Sequence, residues 1–150
     1  MFVNMFSHLT IDGILLIVLG IMASPSLILS KKADAQKILD KLTPYQGWAG
    51  LIFCVVGIVQ LIKALANTVP WIEYFTFGWL MWLVGGLLLI LLGFILGYGM
   101  ISKYALSKNE TAKEKGEQLM KKLIPLQGIL GVAAIVLGIF MLIYLAVQYE

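Results

Sequence analysis

KLTPYQGWAG at residues 41–50 returns as KLIPLQGILG at residues 122–131. The likeness continues beyond the phrase. Residues 41–62 and 122–143 agree without a gap at Lys41/Lys122, Leu42/Leu123, Pro44/Pro125, Gln46/Gln127, Gly47/Gly128, Gly50/Gly131, Val55/Val136, Gly57/Gly138, Ile58/Ile139, Leu61/Leu142 and Ile62/Ile143. Apolar bias alone would align leucines and isoleucines. It would not align a proline, a glutamine and three glycines.

A weaker match lies upstream of each copy. Residues 13–20, GILLIVLG, resemble residues 86–93, GLLLILLG. The chain therefore reads as one helical hairpin written twice. Repeat 1 covers about 10–65 and repeat 2 about 76–148. Both run in the same sense, which makes this a parallel repeat with a pseudo-two-fold axis along the membrane normal.

Composition supplies the solvent. The chain is 61% hydrophobic and only 13% charged, whereas soluble domains carry about 25% charged residues. Apolar stretches near 13–30, 45–65, 76–102 and 124–148 match the ~17–25 residues needed to cross a bilayer. Backbone groups in lipid must pair within their own segment, so these stretches are expected as helices. The expected fold is all-α and integral to the membrane: one domain over 1–150, with four transmembrane helices in two tandem hairpins.

Lysine distribution sets an expected orientation. The chain has no arginine, and ten of its eleven lysines fall within 31–43 and 103–122. Positively charged loops stay cytoplasmic, which leaves both termini and the segment 66–75 outside. Lys31, Lys32, Lys37, Lys41, Lys103, Lys121 and Lys122 are placed to meet lipid headgroups. The segments KKADAQKILDKL and ETAKEKGEQLMKKL read as short helical extensions near the lipid surface. The first eleven residues carry no lysine or arginine, so the first apolar stretch reads as a retained helix rather than a cleaved leader. Small size suggests a bacterial inner (plasma) membrane.

The repeated phrase has a local reading. Proline suits the first turn of a helix, so Pro44 and Pro125 are expected at helix starts. Gln46 and Gln127 then close the first turn, or bond to each other as a polar pair. Gly47, Gly50, Cys54 and Gly57 form a small-residue seam. Gly128, Gly131 and Gly138 repeat it, and Gly86, Gly93 and Gly97 supply another. Small residues let membrane helices approach closely. These seams serve contacts within one chain, between chains, or both.

Recognisable chemistry is sparse. Asp12, Lys63 and Glu73 read as residues at span ends, so no ionisable side chain is expected deep in the membrane. One histidine and one cysteine do not make a metal site, and no catalytic motif is readable. No enzyme activity, cofactor or nucleic-acid partner is expected. Membrane lipids and further copies of the chain are the expected partners, with a larger membrane complex as another. The preferred reading is a structural protein that homo-oligomerises through glycine-rich faces, as a ring or a lipid-organising scaffold. The alternatives are a small oligomeric channel or transporter, and an accessory subunit of a membrane complex.

Overall fold

The computed structural model describes residues 2–24 and 33–148. Among them there is no strand. Five α-helices account for most of the chain: α1 (Phe2–Ala23), α2 (Ala33–Ala66), α3 (Thr68–Ile101), α4 (Glu110–Leu123) and α5 (Gln127–Gln148). A π-helical turn, Ser102–Leu106, follows α3, and a 3-10 turn, Ile124–Leu126, joins α4 to α5. Four apolar helices are long enough to cross a membrane, with spans at Phe6–Ala23, Tyr45–Ala66, Thr76–Tyr98 and within Glu110–Gln148. The chain is thus all-helical with the span count expected from its composition.

Two boundaries differ from the expectation. The first helix was expected over 13–30 but begins at Phe2 and ends at Ala23. Its early polar residues do not stop it; the Thr10 hydroxyl, for example, donates back to the Phe6 carbonyl at 2.9 Å. At its other end, the Ser24 amide and hydroxyl both donate to the Gly20 carbonyl, at 3.0 and 2.7 Å.

The second difference concerns Pro44. It does not start a helix: α2 begins at Ala33 and continues across it. The proline removes one ladder bond, but good helix formers on both sides carry the helix through. Pro125 does sit at a junction, in the 3-10 turn that opens into α5. Lys31 and Lys32 lie outside the described residues. Lys37 and Lys41 belong to the first part of α2, Lys103 to the π-helical turn, and Lys121 and Lys122 to the last turn of α4.

The helices pack as a rhombus. α2 lies along α3, and α1 lies along α5; α1 also meets α3, while α2 and α5 scarcely touch. α1 and α3 are therefore the inner helices, flanked by α5 and α2. Their meeting surface is the core: Leu9, Leu16 and Leu19 from α1 against Leu88, Leu89 and Leu92 from α3, with Met141 and Leu145 from α5. One end of the bundle carries the start of α1, the tight α2–α3 turn at Asn67 and the end of α5. We call it the terminal end. The other, basic end is covered by α4, which buries Met120 and Leu123 against Ile95 with Tyr98 packed beside them.

Candidate functional site

The glycine seams face one another inside the chain. A Cβ on Gly20 would lie 2.5 Å from the Gly131 carbonyl oxygen, and one on Gly138 would lie 2.6 Å from that of Gly13. These contacts join α1 to α5. Between α2 and α3, a Cβ on Gly50 would lie 2.8 Å from the Gly93 oxygen, and one on Gly93 would lie 2.5 Å from the Cys54 nitrogen. Gly97 packs on Gly50 and Leu51, Gly57 on Leu89 and Ile90, and Gly47 on Met100. Gly86 is looser, 3.5 Å from the Gly57 oxygen, and Gly128 is half-buried at the start of α5. A side chain at Gly20, Gly50, Gly93 or Gly138 would force its helix pair apart.

Gln46 and Gln127 do come together, but neither bonds the other. Gln46 Nε2 donates to the Met22 carbonyl and Gln127 Nε2 to the Ala23 carbonyl, each at 3.0 Å. Both carbonyls belong to the last turn of α1, where no intrahelical donor follows. The polar pair is thus a shared cap. Two flanking helices, α2 and α5, clasp the same end of an inner one.

The sequence reading missed the polar group at the other end. Because α1 starts at Phe2, Asp12 lies inside a span rather than at its edge. It is only 2% exposed. Gln60 of α2 donates from Nε2 to Asp12 Oδ1. The other two oxygens of the pair, Asp12 Oδ2 and Gln60 Oε1, are buried and accept no hydrogen bond among the described residues. Trp82 of α3 is 3% exposed. His8, one turn before Asp12 on the same face of α1, stacks on Trp82 with ring centres 6.0 Å apart and planes at 19°.

These residues share a depth. Asp12, Gln60 and Trp82 each lie six residues inside the terminal-end limit of their own span. At 1.5 Å per residue that is about 9 Å into the apolar layer. Toward the basic end the path is closed by fully buried leucines, Leu16, Leu19, Leu89 and Leu92. From Asp12 to the glutamine clasp at Ala23, α1 runs about 16 Å without a polar side chain. Two polar layers are therefore separated by a dry one.

The positions that the sequence repeat aligns with Asp12 and Gln60, Gly85 and Met141, are apolar. There Gly85 of α3 packs on Met141 of α5; a Cβ on Gly85 would lie 3.1 Å from the Met141 Cε. No group of three or more His, Cys, Asp or Glu suited to a metal ion occurs among the described residues. No family model, curated protein or solved structure matches the chain.

Proposed function

We propose that the chain is a non-enzymatic membrane transport protein that moves a small cationic species, with the Asp12–Gln60 pair as its binding group. The observation that carries this reading is the buried carboxylate–amide pair, with one oxygen of each, Asp12 Oδ2 and Gln60 Oε1, left unmet. An acidic side chain at depth costs about 2.5–3.5 kcal/mol on insertion scales, and such residues mark ion and proton pathways. The fold does not require one here.

That last point rests on reading the chain as a duplicated hairpin. With offsets of 73 for the inner helices and 81 for the flanking ones, Gly13·Gly138 corresponds to Gly86·Gly57, and Gly20·Gly131 to Gly93·Gly50. All four contacts occur, which supports the duplication. The same offsets set Asp12 against Gly85 and Gln60 against Met141. One copy of the architecture packs well with glycine and methionine at this point. The acid and amide in the other copy serve something besides packing.

Orientation follows the lysines: the basic end faces the cytoplasm, and the His8–Asp12 layer opens outward. The test is flux into proteoliposomes. Asp12→Asn should abolish a flux that the native chain supports, while leaving the helical content intact. Undiminished flux in that variant would reject the reading.

A homo-oligomeric, lipid-organising scaffold is the second reading. The glycines are covered within the chain, so such an oligomer would form on another face. Trp48, Ile52, Val55, Val59 and Ile62 make an exposed ridge along α2, at the three- and four-residue spacing of a helix seam. Native mass spectrometry in mild detergent tests it. A strictly monomeric protein that remained functional would exclude it.

A further inference from the structure

We infer that the species bound at Asp12–Gln60 is a proton, delivered from the terminal end of the bundle by way of His8. This rests on the transport reading and names its cargo. The first reason is ligand number. Calcium takes six to eight oxygens and magnesium close to an octahedral six. The pair offers two unmet side-chain oxygens. Membrane helices that bind metal cations add backbone carbonyls by unwinding, but α1, α2 and α3 run unbroken past this level. The remaining wall includes Leu9, Leu16 and Trp82. Asp12 is enclosed by packed side chains, and a proton needs no cavity.

The second reason is that the amide serves both protonation states. An ionised Asp12 accepts from the Gln60 N–H, as observed. A protonated Asp12 can donate its O–H to the Gln60 carbonyl once the amide turns over, and that terminal torsion is broad and roughly two-fold. Neither state leaves the carboxyl without a partner. The chemistry is one O–H bond: a proton from water at the terminal end joins a carboxylate oxygen, and its release restores the carboxylate.

The third reason is access. His8 is half-buried one turn nearer the terminal end, and an imidazole ring can both accept and donate a proton. The other charged groups toward this end are known. Lys63 stands exposed on α2, three residues beyond Gln60, and Glu73 stands exposed on α3. The described part of α5 holds no charged residue, and Tyr144 is its one titratable side chain.

Infrared difference spectroscopy of the full chain in lipid vesicles tests this at equilibrium, independently of flux. Between alkaline and acid pH, the native protein should gain a protonated-carboxyl C=O band that Asp12→Asn lacks. A difference spectrum unchanged by Asp12→Asn would overturn the proposal. Gln60→Met retains the carboxyl and does not depend on the folding of the Asn variant. It should shift the band, and an unshifted band would also overturn the proposal. After a pH jump, His8→Ala should slow the rise of the band without changing its final size; an unaltered rate would overturn the His8 route. Flux measured on the same vesicles judges the transport reading separately: a titrating Asp12 band without flux would remove transport and leave the proton site standing.

Discussion

Gln60 reaches back 48 residues to hydrogen-bond Asp12, and the contact joins an inner helix to a flanking one that otherwise barely meets it. The pair is a polar bridge across a sparsely packed seam of the bundle. The residues aligned with them by the sequence repeat, Gly85 and Met141, fill a different seam, between α3 and α5, by shape alone. Comparing the two separates packing from function.

The first expectation exploits that comparison. Gln60→Met leaves Asp12 buried without its donor and should cost about 1–3 kcal/mol. Adding Asp12→Gly recreates the Gly85–Met141 pairing and should recover much of that loss. The double variant should nonetheless carry no flux. Denaturation in mixed micelles, beside vesicle flux, reads both quantities. A double variant less stable than Gln60→Met would refute the equivalence of the two seams.

Glycine substitutions should divide sharply. A Cβ on Gly93 meets backbone of α2 at 2.5 Å, whereas one on Gly86 has nothing nearer than 3.5 Å. Gly93→Ala should cost about 1–3 kcal/mol, the usual range for overpacking. Gly86→Ala should fall within about 0.5 kcal/mol of the native protein. Equal effects would mean that the α2–α3 contact is not the tight one described.

The glutamine clasp makes a prediction about additivity. If Gln46 and Gln127 bonded each other, removing either would cost as much as removing both. They bond separate carbonyls, so Gln46→Leu and Gln127→Leu should each cost about 0.6–1.7 kcal/mol. The double variant should cost close to the sum. A double-mutant cycle decides it.

Tyr98 offers a check on the basic end. Its hydroxyl is buried without a hydrogen-bond partner among the described residues. Removing an unmet polar group is neutral or favourable, so Tyr98→Phe should leave the melting temperature level or raise it. A clear drop would reveal a partner for that hydroxyl.

Much of the architecture could be read from residue order. Four spans follow from apolar length, and the small-residue spacing of Gly50, Gly57 and Gly93 marks faces that do pack closely. Helix limits were harder. His8, Thr10 and Asp12 look like an aqueous end, yet the helix runs on because Thr10 bonds its own backbone and Asp12 finds Gln60. Pro44 looks like a start, because a proline rule is local while the helix-forming segment before it is longer. Gln60 escaped notice for a plainer reason. A single amide in an apolar span has no meaning until its partner on another helix is known. One signal was available: the repeat puts methionine at the matching position, so the glutamine is a departure from its own duplicate.

Flux across vesicles carrying Asp12→Asn addresses the central claim most directly. Asparagine keeps the shape, keeps a partner for Gln60 and removes the ionisable group. A buried proton site predicts that the variant folds, is at least as stable as the native protein, and carries no proton flux. Native-like flux from a folded Asp12→Asn protein would contradict it.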